Sequence, residues 1–434
     1  MREHLDRRRF VQLTATAGLA AVAGCAGDEE PEEPEDSEEP TTEADDSVPD
    51  PTSTESALIE PETLHEWQEA GLVNLEDLDD RERVVVMRVW ETDTYEDGHV
   101  PGALKWDANE FHADRLEGLA EAGPLVPDGE MMDEVLQRNG VCPRTTIVLS
   151  GPNALRTARA YWTLRYWGFP RDRVKILNGG YSAYGEAYDL ETGGEPEAPS
   201  ATFSVQANEE LNSDHRLSMA QMLQRTDQKL AGDRSDAFID NRPDAETIIS
   251  TATIDDPANY HEGDEFDTNY EDGGHWRSAD ELEEHIFDLE GVEEGEPIVT
   301  LCETGYRASM SYFVLDGILG YDDVTVYDGS MRQWTEYDGN NDADNTPPDE
   351  WRVDLEDRTD GDTGDSSLEI LVDDAPALDS AAANQIGAAD AAYMDGDMSA
   401  YEDEPEDDAA DTEEDDAGDD AGDDDADGGG DWGC

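Results

Sequence analysis

The chain has 434 residues, with 27 Lys+Arg against 112 Asp+Glu, a formal net charge of -85 and a hydrophobic content of 36%. Such a charge excludes binding to a phosphate backbone and charge-driven docking on an anionic membrane. The four cysteines (Cys25, Cys142, Cys302, Cys434) have no CxxC or Cys/His spacing, which argues against a zinc site or a disulfide framework. The charge divides into about +2 for residues 1–25, -15 for 26–60, -43 for 61–355 and -29 for 356–434, so half of it falls on the segment with the composition of a folded core.

In chain order, Arg7-Arg8-Arg9-Phe10-Val11 precedes a short Ala-rich apolar run that ends Val22-Ala23-Gly24-Cys25. A basic start, a short apolar stretch and small residues at the end make an export signal. The paired arginines resemble a twin-arginine signal and Val-Ala-Gly-Cys resembles a lipobox. These predict an exported protein anchored to the outer face of the cell membrane by lipidated Cys25. Residues 26–60 are Asp, Glu, Pro, Thr and Ser with almost nothing to bury, which predicts a disordered acidic linker. Residues 356–434 predict an acidic, low-complexity, solvated tail, with a helix around 381–394 as the lesser alternative.

Between linker and tail lies an internal repeat. Residues 147–180 and 298–330 share Ile147-Val148 with Ile298-Val299, Arg156 with Arg307, Tyr161 with Tyr312, Leu164 with Leu315, and Gly179 with Gly329. The turn Gly98-His99-Val100-Pro101-Gly102-Ala103 has a weak echo in Gly274-His275-Trp276-Arg277-Ser278-Ala279. Two such copies predict duplicated domains at 61–205 and 206–355. Each copy alternates apolar strand, loop, amphipathic helix and strand, the pattern of a parallel sheet flanked by helices. In the second copy the strand Ile298–Leu301 precedes a helix starting near Ala308 and stopping at Gly320.

The loop between them reads Cys302-Glu303-Thr304-Gly305-Tyr306-Arg307. A thiol there meets free backbone N–H groups and a helix start, both of which favour the thiolate. Gly305 lets the loop curl, and Arg307 supplies a planar cationic fork for an anion.

With Tyr327-Asp328-Gly329-Ser330, Trp334, Gly98–Ala103, Arg159-Ala160 and Asn178-Gly179-Gly180, this loop makes roughly residues 65–350 resemble the rhodanese family, specifically tandem-domain thiosulfate or 3-mercaptopyruvate sulfurtransferases. The resemblance implies an active second copy and an inactive first one, since Gly151 aligns with Cys302 and its neighbour Ser150 has no activating partner nearby. It implies that Cys302 takes sulfur from a small anionic donor as a persulfide and passes it to a thiophilic acceptor, cyanide or a thiol, without a separate cofactor or metal. It also implies that Arg242 of Asp240-Asn241-Arg242 contacts the substrate anion while Asp240 orients it. Glu303 departs from the family, which places a basic residue or Gly there, and should disfavour a dianion such as thiosulfate.

Three further readings come from the residues. Cys142 is expected to pack within domain one, and Cys434 is a remote candidate sulfur acceptor. The polar stretch 248–272 is expected to be a long loop, either a lid or an insertion. The spacing Cys-x4-Arg is one residue shorter than a phosphatase or arsenate-reductase loop, which ranks those activities second; a non-catalytic sulfur-binding module is the third reading. With only three lysines (Lys105, Lys175, Lys229), the acidic surface resembles that of extreme halophiles, here an exported lipoprotein of haloarchaeal type.

Overall fold

Runs such as Ile298–Leu301 and Val174–Leu177, buried at every position, suit strands covered on both faces. A computed structural model describes residues 48–54, 56–76, 78, 81–90, 92–117, 120–230, 232–242, 252–253, 260, 274–333 and 385–396. Cys25, Cys434, Trp334 and all of 26–47 and 356–384 lie outside the described residues.

Domain one contains β1 (Leu58–Ile59), α1 (Pro61–Glu69), β2 (Arg83–Trp90), β3 (Leu104–Asp107), the antiparallel hairpin β4 (Ala113–Glu117) and β5 (Ala120–Leu125), α2 (Gly129–Arg138), β6 (Thr145–Leu149), α3 (Ala154–Tyr166), β7 (Val174–Leu177) and α4 (Gly180–Ala187). Domain two contains β8 (Arg216–Leu217), α5 (Met219–Leu230), β9 (Ala237–Asp240), β10 (Ala252–Thr253), α6 (Ala279–Phe287), β11 (Ile298–Leu301), α7 (Tyr306–Tyr312) and β12 (Val324–Tyr327). The sheet orders are β1-β7-β6-β2-β3 and β8-β12-β11-β9-β10, parallel throughout. Equivalent strands occupy equivalent places, so the sequence repeat is a structural one.

Four features differ from expectation. The linker is shorter than 26–60, because residues 48–54 and 56–60 are described and Leu58–Ile59 form an edge strand on β7. The tail is not uniformly solvated, because α8 (Gln385–Met394) packs on domain one with Ile386, Asp390 and Tyr393 buried. The stretch 248–272 is anchored at two described points: Ala252–Thr253 form β10, and buried Tyr260 stacks on Trp276. The helix after the loop starts at Tyr306 rather than near Ala308 and widens into a π-helical turn over Phe313–Ile318, where the Gly317 carbonyl accepts from Ala57 N–H at 2.9 Å. Gly320 ends this helix in the left-handed region, as the sequence predicts.

The weak echo 274–279 also acquires a reason. Trp276 is buried, its N–H donates to Asn178 Oδ1 at 2.9 Å, and its ring meets Phe313 edge-on at 5.0 Å. The segment serves the domain junction, whereas Gly98–Ala103 makes a tight turn inside domain one.

At that junction α3 lies against α7, with Tyr161 edge-on to Phe313 at 4.8 Å. Buried Asp316 accepts from Tyr161 Oη at 2.6 Å, Arg165 Nε at 3.0 Å and Arg171 at 3.1 Å. Burial pushes its carboxyl up, but Arg165 and Arg171 outweigh this and hold it below the ordinary carboxylate range. Asp316→Asn leaves two guanidinium groups short of a charge and is expected to cost about 3–5 kcal/mol. Because the folded carboxyl titrates below the unfolded one, this stability is present at neutral pH and is lost as acid protonates it. Urea unfolding of both forms at fixed salt, repeated down the carboxylate range, checks both the loss and its flatter pH dependence in the variant.

Candidate active site

β11 delivers Cys302 to the carboxyl end of the second sheet, where ligands of such sheets bind. The loop is tied to the segment after β12: Cys302 N–H donates to Ser330 Oγ at 3.2 Å, the Cys302 carbonyl accepts from Met331 N–H at 3.0 Å, and the Glu303 carbonyl from Arg332 N–H at 2.8 Å. Cys302 is fully buried. Gly305 has φ +80°, and a Cβ on it would stand 2.6 Å from the Asp328 carbonyl oxygen and 2.9 Å from Arg159 Nη1. Any side chain there would be strained by conformation and by space together.

β9 ends beside β11 and carries the Asp240/Arg242 pair to the loop. Arg242 donates to Asp240 at 3.1 Å through Nε and at 2.8 Å through Nη2, and its Nη1 lies 3.4 Å from Glu303 Oε2. All three guanidinium nitrogens therefore face carboxylates. Burial opposes the Arg242 charge, but Asp240, then Glu303 and Cys302, more than restore it, so Arg242 and the Cys302 sulfur sense each other. Arg307 reaches back across the loop, with Nη1 3.5 Å from the Asn241 carbonyl oxygen. The structure thus brings together Asp240, Arg242, Cys302, Glu303, Gly305 and Arg307; Thr304 lies on the same loop, partly exposed.

Domain one supplies one wall of the site, in keeping with an inactive copy that lines the cleft of the active one. Tyr306 Oη lies 2.7 Å from His112 Nδ1, and the Tyr306 ring sits under the guanidinium groups of Arg156 and Arg159, at 4.9 and 5.3 Å. Arg156 and Arg159 were both singled out in the sequence, through the repeat and the resemblance, whereas nothing marked His112. Buried Asp328 joins the two domains: it pairs with Arg159 at 2.8 Å and Arg216 at 2.9 Å, and accepts from Val126 N–H at 2.9 Å. Arg216 in turn pairs with Glu117 of β4 at 2.8 Å.

The first copy keeps an arginine, Arg156, in the place of Arg307 but lacks the cysteine and the Asp/Arg pair. Strand register places Gly151 where Cys302 stands, Arg88 where Asp240 stands and Trp90 where Arg242 stands. A Cβ at Gly151 would lie 2.6 Å from the Val89 carbonyl oxygen, so no cysteine fits. Ser150 is buried with its hydroxyl unpartnered, so no base stands ready to activate it. Cys142 packs in domain one with Sγ 3.2 Å from Thr145 Oγ1, as expected.

Two parallel α/β domains, one bearing a buried cysteine on a strand-to-helix loop ringed by arginines, define a tandem-domain protein with a single cysteine-bearing loop. The rhodanese-like domain model matches residues 60–187 and 220–337, and the chain belongs to that family. A putative thiosulfate sulfurtransferase of Haloferax volcanii is 28% identical over 283 residues, covering 62% of this chain and 91% of that one. A thiosulfate sulfurtransferase of Corynebacterium glutamicum is 27% identical over 252 residues, covering 55% and 78%. Among solved structures, EanB as a cysteine persulfide in a tetrahedral intermediate state with ergothioneine superposes with a TM-score of 0.51 at 17% identity, covering 67% of this chain and 71% of that one. The chain is a sulfurtransferase of the rhodanese type.

Burial, then Arg159 and Arg156, push the His112 imidazole down from 6.5 to about 4. The unfolded chain therefore binds a proton near pH 6.5 that the folded chain refuses until about 4, so the His112 contribution to stability falls as pH drops through this window and levels off below it. His215, also lowered to about 4 by burial and then Arg165, acts in the same direction. His112→Gln is expected to remove part of that slope and His112→Gln/His215→Gln most of it, as read from urea midpoints between these pH values.

Proposed function

We propose that the protein moves sulfane sulfur from a small anionic donor, thiosulfate or 3-mercaptopyruvate, to a thiophilic acceptor through a Cys302 persulfide. The observation that carries this is the six-residue loop: Cys302 at the strand end, left-handed Gly305 and Arg307 turned back to Asn241, with Arg242 in electrostatic reach of the sulfur. With thiosulfate as donor, the thiolate attacks the outer sulfur; the new S–S bond forms as the donor's S–S bond breaks, and sulfite leaves with the electron pair. Cyanide or a thiolate then attacks the outer sulfur, and Cys302 departs as the thiolate. Backbone N–H groups of the curled loop stabilise the anionic sulfur in both steps. The short loop disfavours a phosphatase or arsenate reductase, whose substrates are larger tetrahedral oxyanions.

Thiosulfate treatment in about 2–4 M KCl, where exposed charge is screened, is expected to add about 32 Da to Cys302. Cyanide should remove the adduct, and Cys302→Ser should never gain it. No adduct with any sulfur donor would leave the sulfur-binding reading or none. The export signal and lipidated Cys25 belong to the same reading, of an enzyme tethered outside the cell.

Glu303 bears on the donor. It occupies the third nitrogen of Arg242, so a dianion must compete with a carboxylate already in place. Glu303→Gln is expected to raise kcat/KM for thiosulfate by about tenfold, roughly 1.4 kcal/mol of transition-state energy. A fall instead would mean that Glu303 assists by holding Arg242 still.

A further inference from the structure

The C-terminal helix makes a contact too specific for a solvated tail. Ile386, Ala389, Asp390 and Tyr393 form one buried face of α8, while Ala388 and Ala391 are exposed. Asp390 is fully buried and accepts three hydrogen bonds: 3.0 and 2.8 Å from Arg115 and 2.7 Å from Tyr166 Oη. Tyr393 donates to Asp133 Oδ2 at 2.7 Å, and its carbonyl accepts from Gln206 at 2.8 Å. The Tyr393 ring lies where a Cβ on Gly129 would stand, so domain one is shaped for this side chain.

The helix holds the hairpin that reaches the reactive loop. Arg115 lies in β4, three residues beyond His112, which contacts Tyr306. Glu117, at the end of the same strand, pairs with Arg216, and Arg216 with Asp328, whose carbonyl packs against Gly305. Without Asp390, the Arg115 guanidinium would lose the two charged hydrogen bonds that α8 supplies, which weakens the hold on the hairpin. His112 and Glu117 would then leave the loop.

The flanks of α8 oppose its docking. Residues 397–434 carry 19 acids and no base, and residues 334–384 carry 16 acids against two arginines, beside an acidic domain. Exposed repulsion of this kind acts over about 10 Å at 0.1 M salt and about 3 Å at 1 M, whereas a buried pair is hardly screened. Salt therefore removes what opposes docking and leaves what favours it.

We propose that α8 is a strap in cis: it docks as ionic strength rises, and its docked state orders the hairpin and the Cys302 loop for sulfur transfer, a consequence that rests on the function proposed above. Hydrogen exchange of the full-length chain, followed peptide by peptide from about 3 M down to about 0.1 M KCl, reads docking without an activity assay. Amides of α8 and β4 are expected to lose protection together while those of β6 and β11 keep theirs. Ala391→Asp, on the exposed face, adds repulsion without touching the packing and should move release to higher salt. Asp390→Asn should do the same and lower sulfur transfer at least tenfold at a salt concentration where the unaltered strap is docked. Protection of α8 that tracks the core strands at every salt concentration overturns the strap. So does release of α8 with β4 and turnover unchanged. If docking behaves as stated but no form of the protein transfers sulfur, the functional reading fails and the salt-dependent docking stands.

Discussion

The carboxylate of Asp328 is the interaction on which the two-domain arrangement turns. It has no exposed surface, and a lone charge in that position would cost several kcal/mol. Arg159 and the Val126 N–H come from domain one and Arg216 from domain two, so its charge is satisfied only when both domains are in place. Its backbone carbonyl closes on Gly305, which sets the curl of the reactive loop. The first copy is therefore structural to the site: it contributes half of the cage around Asp328, the cations over Tyr306 and His112 at the start of the hairpin.

The local electrostatics differ from what the bulk charge suggests. The chain is strongly anionic, yet the loop is ringed by Arg156, Arg159, Arg242 and Arg307. Two of the four are already answered, Arg159 by Asp328 and Arg242 by Asp240 and Glu303. What remains for a donor is a modest field of short range. The small anion proposed as donor would enter close to the sulfur and displace a weak contact such as the 3.4 Å one from Glu303, rather than be steered in from afar.

How much the sequence disclosed follows from how local each feature is. The repeat, the parallel-sheet architecture and the loop Cys302–Arg307 are written in contiguous residues, and the Asp240/Arg242 pair sits at the end of one recognisable strand. His112 and Asp328 acquire their roles only through partners between 112 and 202 positions away, which no spacing rule encodes. β1 is two residues long and exists because β7 pairs with it, so its propensity carried no signal. For α8 a signal was present: Ile386, Asp390 and Tyr393 fall at helical spacing within an Ala-rich stretch. It was hidden because the anchoring residue is an acid in an acidic tail, and only the position of Arg115 distinguishes that acid from its neighbours.

The scarcity of cations gives their placement meaning. Of 27 Lys and Arg, a disproportionate share of those described is interior: Arg83, Arg115, Arg159, Arg165 and Arg216 are all buried, each bonded to a carboxylate or a carbonyl. A surface of mixed charge would have placed them outside to neutralise Asp and Glu. The result is a molecule with two electrostatic regimes. Inside, short ion pairs at the domain junction and under α8 act over a few ångströms and feel little of the solvent's ionic strength. Outside, a nearly uniform negative surface repels itself over the Debye length and weakens every loosely held element. Ionic strength then acts selectively: it leaves the paired interior unchanged and decides how firmly the acidic periphery, α8 foremost, is held against it.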